Sequence, residues 1–266
     1  MEILAGYFGA LLIGVVLGLI GGGGSILTVP IFVYVLGISP VLATAYSLFV
    51  VGSSALVGAI RNAQKGMIDY KTGIVFAAPA LVTVYLTRKF IIPIIPDSIA
   101  TIGSIEISKD TGLMVFFALI MLFASYSMIR GRKEKLTDTE ESLKFNFPLI
   151  IIEGVVVGFL TGIVGAGGGF LIIPALVLFA KLPMKKAVAT SLMIIAIKSL
   201  IGFIGDVENI EIDWVFLLSF TSVSILGIFV GIYLNKFIDG QKLKKGFGWF
   251  VLVMGIYIVV NEILKN

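Results

Sequence analysis

The stretch GGGGS at residues 21–25, followed by Pro30, decides the fold of this chain. Four consecutive glycines stand between two apolar runs, at a point where a membrane-crossing helix would be expected to continue. The same arrangement returns 144 residues later as GAGGG at residues 165–169, followed by Pro174. A backbone break that is repeated inside hydrophobic sequence indicates a site built from main-chain groups.

The composition of the chain places the runs around these glycines in a membrane. Hydrophobic residues make up 58% of the sequence and charged residues only 14%, whereas soluble domains carry roughly 25% charged residues. Apolar runs of about 20 residues recur along the whole length, and each can cross the ~30 Å of hydrocarbon in a bilayer. The sequence therefore predicts an all-α polytopic membrane protein.

Two absent residue types limit the chemistry. The chain has no cysteine and no histidine, which excludes disulfides and thiolate nucleophiles and removes the usual general base and the commonest metal ligand. No cofactor, no metal site and no enzymatic activity are therefore predicted. The net charge of +4 reports which loops face the cytoplasm rather than binding of nucleic acid.

Ten apolar segments are predicted, and two of them are too short to cross a membrane. Residues 26–37 and 169–180, which follow the glycine runs, would reach only about 18 Å as helices at ~1.5 Å per residue. They are predicted to be broken or re-entrant helices whose backbone is covered by protein or by a water-filled cavity. The ten segments lie at about 3–20, 26–37, 40–60, 70–90, 110–130, 147–164, 169–180, 185–205, 213–235 and 246–264.

The charged stretch 131–146 divides the chain and is predicted to be a cytoplasmic linker. It separates a first transmembrane repeat, 1–130, from a second, 147–266. Sliding the sequence by 144 residues aligns 14–70 with 158–214 without a gap, and seventeen of the fifty-seven positions are identical. The halves are therefore predicted to be structural repeats of about five apolar segments each.

Loop charges indicate that the two repeats are inverted. The loop at 61–71 carries three basic residues, whereas the charged residues of its counterpart at 205–213 are all acidic. The loop at 37–42 is uncharged, whereas its counterpart at 181–186 has three lysines. Basic residues collect on the cytoplasmic side, so equivalent loops should face opposite sides of the membrane. Both termini are then predicted to lie outside the cytoplasm, and the glycines to reverse the chain as hairpins.

Glycine-rich tips of this kind can bind an anion through backbone amides. Glycine permits positive φ angles and close approach of a ligand, and the first amides of the following helix are unpaired at the positive end of its dipole. Inverted-repeat transporters place such helix ends near the membrane midplane, where the substrate binds. The alternative is that the glycines allow tight helix packing, which fits Gly14, Gly18, Gly158 and Gly162 well.

Lys198 adds a positive charge near the middle of the eighth segment. It lies seven residues after Ser191 and therefore on the same helical face, while its counterpart Ser54 lies seven residues after Ser47. A lysine at this depth costs roughly 2.5–3.5 kcal/mol on insertion scales, so it should face a cavity or a partner. The alternatives are an ion pair with Glu153 or snorkelling to an interface. The predicted substrate-binding residues are Gly22, Gly23, Gly24, Ser25, Ser47, Ser54, Gly167, Gly168, Gly169, Thr190, Ser191 and Lys198.

Three further polar residues are weaker candidates. Glu153 fits a proton-coupling carboxylate or an interfacial glutamate, and both interpretations stay open. Asn62 and Asp206 fall at equivalent helix ends and are predicted to be helix caps rather than ligands.

The duplicated glycine pattern resembles a known family. The pattern Gly-x-x-x-Gly-x-x-Gly-Gly-Gly-Gly-Ser-x-x-x-x-Pro over 14–30 is similar to that of the TauE/SafE family of sulfite exporters. It recurs over 158–174, the sequence ATSL follows at 189–192, and the resemblance covers nearly the whole chain. The resemblance implies a plasma-membrane permease for small sulfur-containing anions such as sulfite or organosulfonates. The first repeat has Tyr46 where the second has Thr190.

The resulting hypothesis is an exporter of a small sulfur-containing oxyanion that works by alternating access. In it the glycine tips donate backbone N–H groups, Lys198 offsets the charge of the anion, and serine hydroxyls add contacts. Its partners are the anionic substrate and the lipid bilayer. Two alternatives stay open: a membrane-embedded enzyme with Ser191 and Lys198 as a catalytic pair, and a permease for another small ion. The positive charge of Lys198 argues against a cation as that ion.

Overall fold

A computed structural model of the protein describes residues 2–22, 24–102, 105–130, 147–165, 167–178, 180, 182–235, 237 and 240–265. The predicted linker 131–146 and the predicted site residue Gly23 lie outside the described residues.

Eleven α-helices and one small hairpin make up the described chain. The helices are α1 (Glu2–Ile20), α2 (Ser25–Pro30), α3 (Pro40–Gln64), α4 (Tyr70–Leu86), α5 (Ile92–Ile94), α6 (Lys109–Ile129), α7 (Phe147–Val164), α8 (Gly169–Leu178), α9 (Met184–Val207), α10 (Trp214–Leu234) and α11 (Gly240–Lys265). π-Helical segments continue α2 through Ile31–Val35 and join α4 to α5 through Thr87–Ile91. The predicted all-α polytopic class is confirmed, and the predicted segments match these helices closely.

Five of these helical stretches are long and apolar enough to cross a bilayer. They are Pro40–Gln64, Tyr70–Ile94, Lys109–Tyr126, Lys185–Val207 and Trp214–Leu234. Large apolar side chains such as Leu4, Val215 and Leu264 are more than three-quarters exposed. Large apolar side chains exposed in this way suit contact with lipid chains.

The region after α4 departs from the segment predictions. The fourth predicted segment ends at residue 90, but the helix continues through the π-helical turn to Ile94. Strands β1 (Ser98–Ile102) and β2 (Ile105–Ser108) then pair antiparallel. The charged residues Arg88 and Lys89 interrupt the apolar run, and Pro93 follows shortly after, so the sequence alone gives the shorter segment.

The first glycine run reverses the chain as predicted. Gly21 has a φ of +85°, a conformation that glycine adopts without steric cost. The chain then returns along α1: Gly24 packs on the backbone of Leu17, and nearer the start of α1 Ile31 lies against Gly9. In the second half Gly165, Gly167 and Gly168 have φ values of +70°, +61° and +67°, where α7 gives way to α8.

Helices from the two halves interleave. Helix α1 packs against α10, and its repeat counterpart α7 packs against α4, which is the counterpart of α10. At the centre α3 lies against α9, and α6 lies against α11. Every one of these pairs maps onto itself or onto another pair when the halves are exchanged. The inverted orientation of the repeats in a membrane stays a prediction.

Glycines in the helix interiors allow the close packing expected of them. A Cβ on Gly14 or Gly18 of α1 would overlap the backbone of α10, and one on Gly227 or Gly231 of α10 would overlap that of α1. In α7, Gly158 packs in the same way on Ala80 of α4. These residues are small-xxx-small contacts, in which the absent side chain lets backbones approach.

Candidate functional site

The two glycine tips, residues 21–25 and 165–169, meet inside the protein. A Cβ on Gly22 would overlap the backbone of Gly169, and one on Gly169 would overlap the backbone of Gly22. Gly167 lies close to Ser25, since a Cβ there would stand 3.2 Å from the serine Cβ. The backbone of one half therefore contacts the backbone of the other at this point.

Each tip rests on the central helix of the opposite half. Gly21 packs on Val188 of α9, and Gly165 packs on Thr44 of α3. Gly21 and Gly165 are separated by 144 residues, and so are Thr44 and Val188. The residues that the two tips contact are therefore equivalent in the repeat. Of the two, only Thr44, which the second tip contacts, carries a hydroxyl group.

Lys198 lies at the second tip. Its side chain is fully buried, and its Nζ donates a hydrogen bond of 2.7 Å to Oγ1 of Thr161 on α7. A Cβ on Gly168 would stand 2.9 Å from the same Nζ. The glycine thus leaves room for the ammonium group against the backbone of the tip. Glu153, the ion-pair partner considered from the sequence, lies eight residues before Thr161, about 12 Å along the helix axis.

The charge distribution at the tips favours an anion. The first backbone N–H groups of a helix have no partner within it, and they carry the positive end of the helix dipole. Helix α8 begins at Gly169, within the tip that Lys198 approaches. Thr161, the recorded partner of Lys198, is neutral, so this contact does not offset the ammonium charge.

The serines of the predicted site are divided between partnered and unpartnered hydroxyls. Ser25 Oγ donates to the carbonyl of Gly22 across the first tip at 2.7 Å, and Ser191 Oγ donates to the carbonyl of Val188 at 2.8 Å. Ser54 Oγ lies 2.9 Å from the hydroxyl of Ser224 on α10. Ser47 Oγ is buried and has no hydrogen-bond partner among the described residues.

Thr190 on α9 links the two halves by a hydrogen bond to the residue that caps the start of α4. Its Oγ1 accepts a hydrogen bond of 3.0 Å from the backbone N–H of Asp69, the cap of α4. At the equivalent place in the other half, the hydroxyl of Tyr46 accepts one of 2.7 Å from the N–H of Asp213, the cap of α10. The exchange of threonine for tyrosine between the repeats thus preserves one and the same contact.

A second buried cation, Arg88, escaped the interpretation of the sequence. It is fully buried at the π-helical turn after α4. Its Nε lies 3.4 Å from Oδ2 of Asp206 near the end of α9, and its Nη1 donates to Oγ1 of Thr44 at 3.0 Å. Asp206, predicted to be a cap, is instead the buried partner of this arginine. Because Thr44 also packs on Gly165, Arg88 is one side chain away from the second tip.

The sequence did contain a signal for this pair. Arg88 and Asp206 stand at the ends of the fourth and eighth apolar segments. Opposite charges at such positions can pair across helices, although a basic residue at a segment end is more commonly a loop residue. Among the described residues no group of three or more Asp or Glu side chains could hold a metal ion.

Comparisons with known proteins bear on this arrangement. The model of a family described as Sulfite exporter TauE/SafE matches residues 7–258. A Probable membrane transporter protein of Xylella fastidiosa (strain 9a5c) is 29% identical over 257 residues, which cover 93% of this chain and 91% of the relative. Probable membrane transporter protein YunE of Bacillus subtilis (strain 168) is 24% identical over 281 residues, 96% of each chain. No solved structure matches this chain.

Proposed function

Because this chain belongs to the sulfite exporter TauE/SafE family, we propose that this membrane transporter exports a small sulfur-containing oxyanion such as sulfite or an organosulfonate. The observation that carries the proposal is the fully buried Lys198 beside the point where the two glycine tips meet. A buried cation, the start of a helix and the close approach that glycine permits together suit a small anion.

In the proposed site each group has one role. The backbone amides at the start of α8 bind oxygen atoms of the anion, and Lys198 offsets its charge. Ser47, whose hydroxyl has no partner among the described residues, would donate a further hydrogen bond. Ser25, Ser54, Ser191 and Thr190 have other partners and would contribute only after these contacts exchange.

Alternating access is the mechanism we propose for the transport step. The two tips come from different halves, and each rests on the central helix of the other half. A rocking movement of one half against the other would open the contact between Gly22 and Gly169 towards one membrane face at a time. In this proposal the protein lies in the plasma membrane, its repeats are inverted, and both termini are outside the cytoplasm.

A Ser–Lys enzyme finds less support than a transporter. A catalytic pair would need the serine hydroxyl within hydrogen-bond reach of the lysine. Instead Ser191 Oγ donates to the carbonyl of Val188, and Lys198 Nζ donates to Thr161. Labelling of Ser191 by a fluorophosphonate probe would favour the enzyme; we expect no such labelling.

Flux measurements in liposomes test the proposed substrate class. Purified protein is reconstituted, and the uptake of labelled sulfite is compared with that of protein-free liposomes. We expect saturable sulfite flux that thiosulfate or methanesulfonate reduces by competition, because their oxygen atoms and charge fit the same donors.

Acetate, sodium and potassium serve as the comparison ions in the same liposomes. Faster flux of acetate than of every sulfur anion would contradict the sulfur assignment. Selective flux of sodium or potassium without any anion flux would contradict an anion transporter altogether.

A further inference from the structure

The guanidinium group of Arg88 is buried with several of its donors unused. Arginine presents five N–H groups in a planar fork. One nitrogen, Nη1, donates to Thr44, while Nη2 and Nε have no hydrogen-bond partner among the described residues. Oδ2 of Asp206 likewise accepts no hydrogen bond there. Buried polar atoms are nearly always paired in folded proteins, so an unpaired set of this kind calls for an explanation.

The geometry of the ion pair is loose. The distance of 3.4 Å between Nε and Oδ2 exceeds the ~2.7–2.9 Å of a charge-assisted hydrogen bond. Arginine usually binds an oxyanion through two parallel N–H donors. Asp206 is therefore attracted to Arg88 by charge but does not form two parallel hydrogen bonds with it. Donors of the guanidinium group stay available to another oxyanion.

The buried charged groups near the second tip leave a net positive charge that one anion could offset. Arg88 and Lys198 are two fully buried cations, and Asp206 is the acidic group that faces Arg88. Lys198 and Asp206 are eight residues apart on α9, about 12 Å along the axis. The neighbouring pair of Lys89 and Glu208, at 3.2 Å, is partly exposed and neutralises itself.

We propose that Arg88 is a second anion-binding group, placed between the tip and the membrane face at which α9 ends. The inference rests on the proposed function and deepens it. The ligand is a small oxyanion with at least two oxygen atoms, which the guanidinium fork binds in place of Asp206. The carboxylate of Asp206 is therefore an internal competitor that occupies Arg88 when the anion is absent.

Equilibrium binding of sulfite to the purified full-length protein tests this inference. Asp206→Asn keeps the side-chain size but removes the competing charge, so we expect sulfite to bind about tenfold more tightly than to the wild type. Arg88→Lys keeps the charge but loses the fork, so we expect binding about tenfold weaker. Calorimetry gives the affinity, and sulfite should raise the unfolding temperature more in Asp206→Asn than in the wild type.

Two further variants keep the test decisive. The double variant Arg88→Gln/Asp206→Asn removes both charges of the pair and leaves neither unpaired, so it should fold even where a single variant does not, and it should bind sulfite at least tenfold more weakly. The double variant Lys89→Gln/Glu208→Gln changes the adjacent exposed pair and should keep wild-type affinity.

Wild-type affinity in every folded Arg88 and Asp206 variant overturns the inference, as does an equal loss in the Lys89/Glu208 control. A wild type that neither binds nor transports sulfite would instead overturn the proposed function.

Discussion

At the scale of single residues, Lys198 has an ammonium group fully enclosed in the middle of α9. A lysine at such a depth costs about 2.5–3.5 kcal/mol on insertion scales. The hydroxyl of Thr161 satisfies one donor, but it carries no charge. A bound anion would offset the charge as well, which explains why this cost can be tolerated in a transporter.

The contact between the tips depends on the absence of a side chain at Gly22. A Cβ there would overlap the backbone of Gly169, which cannot move aside as a flexible side chain can. Gly22→Ala should therefore lower the free energy of unfolding by about 1–3 kcal/mol, the range for overpacking, and should reduce anion flux. Thermal unfolding of the purified protein measures the first effect.

Gly246→Ala is the matched control for this substitution. Gly246 is exposed within α11, and a Cβ there would meet no atom of the described residues within 4 Å. Alanine there should leave flux unchanged and raise stability by up to about 1 kcal/mol, because it favours the helix. Equal stability of the Gly22→Ala and Gly246→Ala variants would contradict the close contact.

The site was predictable where a residue broke an apolar pattern. Lys198 stands out because a charge in the middle of a hydrophobic segment needs a reason, and the glycine runs stand out because they interrupt two segments. Arg88 was missed because a basic residue near a segment end is normally a loop residue. Its burial depends on the π-helical turn and on the packing of α9, which periodicity does not reveal.

At the scale of helices, two equivalent hydrogen bonds connect the first residues of α4 and α10 to the central helix of the opposite half. Thr190 accepts from the N–H of Asp69, and Tyr46 accepts from the N–H of Asp213. Both hydroxyls occupy the same repeat position on the central helices α9 and α3. These contacts set where α4 and α10 begin relative to the central pair.

Thr190→Val removes the hydroxyl at nearly constant volume. We expect the free energy of unfolding to fall by about 1 kcal/mol, the net contribution of a neutral hydrogen bond. Tyr46→Phe should have a similar effect in the other half. Unfolding of the purified protein by denaturant measures both.

Thr190→Ser keeps the acceptor and serves as the control. It should retain most of the stability and an unchanged affinity for sulfite. If Thr190→Val were as stable as Thr190→Ser but bound sulfite more weakly, Thr190 would be a substrate ligand, as predicted from the sequence, and the helix-start contact would be unimportant.

Helix positions were predictable, but helix partners were not. Hydropathy and length locate the apolar segments because each must bury its backbone hydrogen bonds within itself in a bilayer. The pairing of α1 with α10 and of α7 with α4 depends on which glycine stripes face one another. The small hairpin β1–β2 was missed because its strands are short and lie in a stretch assigned to a loop.

At the scale of the whole molecule, the two halves form one interleaved structure. Exchange of the halves maps α1 and α10 onto α7 and α4. It also maps Val188, which the first tip contacts, onto Thr44, which the second tip contacts. Such equivalence would let the same movement open the site to either side of a membrane. The loop charges add the prediction that the repeats are inverted.

The inverted orientation can be tested by labelling because the natural chain has no cysteine. Lys65 and Asn209 are exposed and occupy equivalent repeat positions, 144 residues apart. In intact cells a membrane-impermeant maleimide should label Asn209→Cys, whereas Lys65→Cys should react only after the membrane is permeabilised. Labelling of both positions from the same side would show that the repeats are parallel.

The binding of sulfite to Lys198→Met tests the central claim most directly. Methionine keeps a long apolar side chain but lacks the charge, and Lys65→Met, at an exposed lysine, is the control. Calorimetry on the purified proteins should give at least tenfold weaker binding for Lys198→Met, as expected for the loss of a charged donor, and wild-type affinity for Lys65→Met. A folded Lys198→Met protein that binds and transports sulfite as the wild type does would contradict an anion site at the glycine tips.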